Sequence, residues 1–325
     1  MVEVLPFPHV CADVLAQITD IHAAVDKVGD SISFPGPARV EESLIPYITS
    51  LVTQFTQTGQ VDATLMMPDG SFWRGHRDDH VVDGAWVRFR KMPRCAPTLE
   101  TLPSPLPEIV QEALLEQESQ RGGLVLVAGA TGMGKTTTAS GTIVSRLTKY
   151  GGVAYTVEQP PENPLNGWHG KGYCTQTWVK DDGAANPWAR AMRSVLRSQP
   201  AGTPAILFLG EVREEEAARV AVQAANQGFL VVATSFASDV VSAIASFASH
   251  VGPELRGQFA QQFRMLVWQN INEGKLEVKM LRSTSAVVQH ICEERYAAMA
   301  GELQMQLNAA RMEYQEKRLR AERRL

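Results

Sequence analysis

The sequence predicts an α/β fold built on a mainly parallel sheet, preceded by a small α+β domain and followed by one long helix. Three observations carry that prediction. An apolar strand, Leu124 to Ala128, runs into Gly129-Ala130-Thr131-Gly132-Met133-Gly134-Lys135-Thr136, which fits the phosphate-loop pattern GxxxxGK[ST]. Beyond it, short apolar runs alternate with helical patterns, as in a doubly wound sheet that holds ligands at the carboxyl ends of its strands. Five prolines between Pro93 and Pro107 separate this region from what precedes it.

Residues 1–92 read as the small α+β domain. A break at Phe34-Pro35-Gly36-Pro37 is followed by a helix pattern from Glu41 to Phe55. A hairpin follows, Asp62 to Met67 and Phe72 to Arg74 around Pro68-Asp69-Gly70, and then a strand from Ala85 to Arg90. His76 and His80 have the i, i+4 spacing of a helical metal pair, but Gly75 and the intervening Arg77-Asp78-Asp79 favour a solvated turn. Residues 93–107 are expected to be a linker, and a helix from Pro107 to about Gln120 leads to the phosphate-loop strand.

The nucleotide-binding core is expected over residues 108–290. Its further strands fall at Val153–Val157, Ala205–Leu209 and Phe229–Thr234, and its helices at Ala189–Ser198, Glu214–Asn226 and Val240–Ser249. In residues 291–325, Tyr296, Met299, Leu303, Leu307, Ala310 and Tyr314 recur at three and four, giving an amphipathic helix. Lys317, Arg318, Arg320, Arg323 and Arg324 make its end basic. Such a helix either packs on its own domain or docks on a partner subunit or an anionic membrane surface.

Thirty-one Lys and Arg against 35 Asp and Glu give a net charge of −4, so direct nucleic-acid binding is not expected. Cys11, Cys95, Cys174 and Cys292 lack CxxC spacing, which fits a reducing, cytoplasmic compartment rather than a disulfide framework. No basic–apolar–small leader pattern opens the sequence. The most apolar window, Phe229 to Ser249, is interrupted by Thr234, Asp239 and several serines, so any membrane contact is expected to be peripheral.

The residue types of the phosphate loop follow from the charge they must meet. Gly129, Gly132 and Gly134 let backbone N–H groups turn toward a phosphate, helped by the positive end of the following helix. Lys135 reaches the β- and γ-phosphates, Thr136 offers a hydroxyl to Mg²⁺, and Thr137 and Thr138 continue the helix start and can add nucleotide contacts near the α-phosphate. Glu158 and Glu211 each close an apolar strand, one placed to orient an attacking water and the other to help hold Mg²⁺.

Taken together, these segments resemble the hexameric secretion and pilus ATPases of type II and type IV systems, the PilT/DotB-like family. Residues 123–138 resemble its phosphate loop, Tyr155-Thr156-Val157-Glu158-Gln159-Pro160 its acidic box, and Ser194 to Gln199 with Ile206 to Arg213 its arginine-containing helix and Walker B segment. Val267-Trp268-Gln269 and Leu276 to Ile291 resemble the Dot/Icm-type and conjugative-plasmid branch. The resemblance spans residues 74–291. It implies a PAS-like first domain, a RecA-like core, ATP and Mg²⁺ as ligands, and a homo-hexamer that drives a secretion, conjugation or pilus complex at the inner membrane.

Arg74, Arg77 and Arg90 match the family's arginines that reach a nucleotide held by the neighbouring protomer; the alternative is strand-face arginines paired with Asp78, Asp79 or Asp83. Gln159 stands where the family has Asp or Ser. Phe229 and Phe236 replace two histidines, removing the expected polar link between the γ-phosphate and the next strand. That loss keeps open a nucleotide-gated structural subunit with little hydrolysis, and a RecA-like nucleic-acid motor is the third reading.

Overall fold

In the first unit, Met1–Cys95, apolar residues at every second position build an antiparallel sheet with one face covered by a helix. α1 (Ala12–Gln17), β1 (Asp20–Ala24), β2 (Ile32–Phe34) and β3 (Ala38–Arg39) precede α2 (Ile45–Gln57), and β4 (Asp62–Met66), β5 (Phe72–His80) and β6 (Gly84–Met92) follow it. The strand order is β3-β2-β1-β6-β5-β4. Ile21, Ala23, Trp73, Val87 and Phe89 are buried beneath Tyr47, Leu51 and Phe55 of α2. The Trp73 indole donates to the Tyr47 hydroxyl (2.7 Å), and the rings of Phe55 and Phe89 meet edge to face at 5.6 Å. The computed structural model describes residues 12–80, 82–117, 122–179 and 187–322.

The turn expected around Gly75 is instead the middle of β5. A Cβ at Gly75 would lie 2.6 Å from the Phe55 ring and 2.8 Å from that of Phe89. The glycine is therefore a close-packing residue under α2, not a chain breaker. His76 consequently projects to the opposite face, with Nδ1 2.9 Å from Asp62 Oδ1. The side chain of His80 lies outside the described residues, and no cluster of three His, Cys, Asp or Glu suited to a metal occurs among those described.

The second unit is Ala96–Leu325. Residues 96–107, taken from sequence as part of a linker, are irregular as their prolines require, yet Leu99, Leu102 and Leu106 are buried in the core. The next helix is α3 (Glu108–Leu114), shorter than expected; Gln120 lies outside the described residues. Then come β7 (Gly123–Gly129), α4 (Lys135–Tyr150), β8 (Gly152–Glu158), β9 (Gly167–His169), β10 (Gly172–Trp178), α5 (Pro187–Arg197), β11 (Ala205–Leu209), α6 (Glu215–Asn226) and β12 (Leu230–Phe236). The unit closes with α7 (Val240–Val251), α8 (Arg256–Gln262), β13 (Phe263–Asn272), β14 (Lys275–Arg282), α9 (Ser285–Cys292) and α10 (Met299–Glu322).

The eight strands run in the order β14-β13-β7-β12-β11-β8-β10-β9. Neighbours from β13 to β10 are parallel, and β14 and β9 are antiparallel edges. Central β7 is buried along its whole length, which is why it reads as one apolar run. One face packs against α3, α4 and the leucines of 99–106, and the other against α5 to α9. This layering brings the ends of β7, β8, β11 and β12 to one edge.

α10 docks at its beginning. Met299 is buried, and Gln306 accepts from the Arg282 N–H (2.8 Å) and donates to the Arg282 carbonyl (3.1 Å). Leu303, Leu307 and Ala310 on that stripe are half-buried, whereas Met305 and Met312 are exposed. The side chains of Tyr314, Lys317, Arg318, Arg320, Arg323 and Arg324 lie outside the described residues. No helix among those described is long and apolar enough to cross a membrane. Cys11 is likewise outside them, and Cys95, Cys174 and Cys292 are free thiols.

Candidate functional site

The chain reverses between β7 and α4 through three glycines that serve different needs. Gly132 and Gly134 hold φ values of +79° and +75°, a region side chains rarely enter. A Cβ on Gly129 would run into the carbonyl oxygen of Gln269 on β13. The loop so formed ends at the N-terminus of a 16-residue helix, where unpaired N–H groups and the helix dipole favour an anion.

Lys135 is the first residue of α4, buried, with Nζ donating to the Ala130 carbonyl at 2.9 Å. Burial lowers its pKa from the ordinary value, and Glu211 followed by Glu162 opposes that effect. The lysine thus rests on a loop carbonyl that a phosphate oxygen can replace. Thr136 and Thr137 are half-exposed in the first turn, while the buried Thr138 donates its N–H to Gly134 O (2.9 Å). From β13, Gln269 donates to the Met133 carbonyl and the Ile271 N–H points at the Met133 sulfur (3.1 Å), fixing the loop from outside.

Glu158 ends β8, and Glu211 follows the adjacent β11 by two residues. The Gly210 N–H donates to Val157 O (3.1 Å), and a Cβ at Gly210 would lie 3.1 Å from Glu158 Cγ, so glycine lets the two strand ends close up. Glu158 is 1% exposed, and burial pushes its pKa up to about 7 against the opposing hydrogen bond from Gln176. Glu158 Oε1 accepts from Gln176 Nε2 at 2.8 Å, while Oε2 is buried without a partner. Glu211 is more open and accepts from Arg213 Nε (2.8 Å). Arg213, Gln176 and Gln269 are site residues to which the sequence assigns no individual role; Arg213 and Gln269 stand in segments that carry only the family resemblance, and Gln176 stands in none.

The two phenylalanines read as histidine replacements separate at this point. Phe236 ends β12 opposite Gly129, at the loop, and is 59% exposed. Phe229 precedes the other end of β12, about 20 Å away at ~3.3 Å per residue, fully buried with its ring 6.5 Å from that of Tyr155. The expectation that both positions link the phosphates to the next strand is therefore corrected, because strand direction leaves only residue 236 at the loop. The Gln159 side chain accepts from the Trp188 indole (2.9 Å).

The three arginines also divide. Arg74 and Arg90 are direct cross-strand partners on the face opposite α2. Arg77 is displaced by an odd number of residues from Arg74, so alternation turns it to the other face, where it pairs with Asp79 at 3.1 Å. Arg90 pairs with Asp20 (2.8 Å), not with the acids expected. Arg88, which the sequence reading passed over, shares the face of Arg74 and Arg90 and pairs with Asp78 (2.8 Å).

A lysine-bearing loop at a helix N-terminus, with two carboxylates on the same edge of one mainly parallel sheet, can bind a triphosphate and direct a water at it. The family model described as type II/IV secretion system protein matches residues 81–305. The uncharacterized protein YggR of Escherichia coli (strain K12) is 29% identical over 227 residues, 68% of this chain and 64% of YggR. This chain thus spans less than two thirds of that relative's length. Among solved structures, the pilus retraction motor PilT with bound ADP superimposes with a TM-score of 0.71 at 21% identity, over 90% of this chain and 88% of that one. The Legionella pneumophila ATPase DotB gives 0.68 at 20% identity, over 90% and 85%. At those identities the likeness is one of fold, an α/β architecture shared with both.

Proposed function

The chain belongs to the type II/IV secretion system protein family, and on that footing we propose that it is a Mg²⁺-dependent ATPase working as a homo-hexameric ring docked on an inner-membrane secretion or conjugation machine. The observation that supports this most directly is Lys135 and the loop 129–136 on the same sheet edge as Glu158 and Glu211. In this reading the first unit is PAS-like and the second RecA-like.

ATP lies with its β-phosphate in the N–H groups of residues 129–136, and Lys135 leaves the Ala130 carbonyl for the β- and γ-phosphates. The Thr136 hydroxyl and the Glu211 carboxylate are hard oxygen donors of the kind Mg²⁺ takes, Glu211 directly or through water. The ion, when bound, neutralises charge on the phosphate oxygens. Glu158, kept from bulk water, accepts a hydrogen bond from the attacking water and holds it in line with the γ-phosphorus. Arg74 and Arg90, joined by Arg88, are the cations a neighbouring protomer can present to the transferred phosphoryl group.

One observation favours a second reading. The exposed Phe236 at the loop offers the γ-phosphate no polar group, which fits a nucleotide-gated subunit with slow turnover. ATP binding and steady-state hydrolysis, measured with and without single-stranded DNA, decide between these. Hydrolysis unaffected by DNA supports the secretion motor, tight binding without turnover supports the gated subunit, and stimulation by DNA overturns both.

A further inference from the structure

β10 runs parallel beside β8, with Gln176 opposite Thr156 and Trp178 opposite Glu158, so an amide at 176 reaches the carboxylate. The Gln176 Nε2 donates to Glu158 Oε1 at 2.8 Å and to the Asn163 backbone oxygen at 2.7 Å, while its Oε1 accepts from the Leu165 N–H at 3.2 Å. Turning the amide over would set an oxygen against two acceptors and a nitrogen against a donor, so the surroundings admit one orientation. Asn163 in turn donates from Nδ2 to Ser140 Oγ on α4 (3.0 Å, buried). A chain of polar contacts, part-buried at Gln176 and buried between Asn163 and Ser140, therefore runs from Glu158 through Gln176 and the 163–165 loop to the helix that begins with Lys135.

The two oxygens of Glu158 have different fates in this arrangement. Oε1 is tied to Gln176; Oε2 is buried with no hydrogen-bond partner. A carboxylate free to turn about its last torsion has two interchangeable oxygens, and the Gln176 amide held on Oε1 removes that equivalence.

We propose that Gln176 is the positioning residue of the hydrolytic site: it anchors Glu158 by one oxygen, leaves Oε2 to take the attacking water, and ties the carboxylate to the phosphate-loop helix through Asn163 and Ser140. This rests on the reading of Glu158 as the water-orienting base. The hydrogen bonds of the Gln176 amide go to Glu158, Asn163 and Leu165, not to residues 129–136. Its loss therefore acts on the chemical step and leaves ATP binding in place.

The test is the near-isosteric Gln176→Met, measured for ATP affinity with a fluorescent analogue and for single-turnover hydrolysis. The expected result is a fall in rate of about 10- to 100-fold, the scale of a ~1 Å misplacement of a reacting group, with affinity held within about threefold. Added to Glu158→Gln, Gln176→Met should slow hydrolysis no further, since it works through the group already removed. Gln176→Asn, which withdraws the amide by one methylene, gives the same readout should the methionine variant not fold. A wild-type rate in either variant overturns the proposal, and so does a double variant whose losses multiply, because that marks a general structural role. Wild-type hydrolysis by Glu158→Gln alone instead removes the base assignment, and the proposal falls with it.

Discussion

Replacing Glu158 by glutamine should stabilise the nucleotide-free protein above neutral pH while removing most, not all, of the hydrolysis, because the charge that serves the water is held where it is poorly solvated. Burial raises the Glu158 pKa from its ordinary 4.5 to about 7. Below pH 4.5 the group is neutral whether the chain is folded or not, and it contributes no penalty. Between 4.5 and 7 the unfolded chain releases its proton and the folded one keeps it, so stability falls as pH rises; above about 7 the full penalty is present. A span of about 2.5 on the pH scale, at 1.36 kcal/mol per unit, amounts to about 3 kcal/mol. Glu158→Gln keeps an acceptor for Gln176 and has nothing to titrate. Its stability relative to wild type should therefore climb by about 3 kcal/mol from pH 4.5 to pH 8, or about 6–12 °C in Tm for a unit of this size. Paired thermal melts of the nucleotide-free proteins across that range measure it. A difference that stays flat with pH refutes the burial argument, whatever its sign. If the ionised form is the base, kcat/KM of the wild type should also rise with pH through the region of 7.

Three other outcomes follow from the same geometry. Lys135→Ala should lose tight ATP binding or turnover, since a cation held against phosphates away from water contributes several kcal/mol; an unaltered isotherm and rate would sink the phosphate-loop assignment. Rings mixed from inactive Lys135→Ala protomers and inactive Arg74→Ala/Arg90→Ala protomers should regain part of the activity, as some interfaces then join an intact loop to intact arginines, and an arginine in trans can contribute roughly 10³ to 10⁵ in rate. Mixed hexamers that stay inactive argue against sharing of the site, whereas Arg77→Ala, on the other sheet face, should cost little. Gly75→Ala should lower stability by about 1–3 kcal/mol through overpacking against Phe55 and Phe89, read as a drop in the denaturation midpoint with ATP affinity unchanged.

What could be read from the sequence was what is local in the chain. The eight residues of the phosphate loop are contiguous, each with its own chemical requirement, and β7, β11 and the first half of β12 are apolar runs because both faces of the parallel part of the sheet are covered. Glu158 and Glu211 were legible as the polar residues at which two such runs stop. Tertiary structure decided whatever depends on partners distant in sequence. Gln176 became an anchor through a strand pairing 18 residues away, Gln269 a clamp on the loop across 136, and Arg90 a partner of Asp20 across 70. Gly75 reads as a breaker until the Phe55 ring is laid on it, and Leu99, Leu102 and Leu106 read as linker until a core is placed beneath them. Arg77 and Phe229 were grouped with the wrong neighbours for a geometric reason: strand alternation and strand direction fix which face and which end a side chain occupies, and both are known only once the strand's limits and its pairing are set.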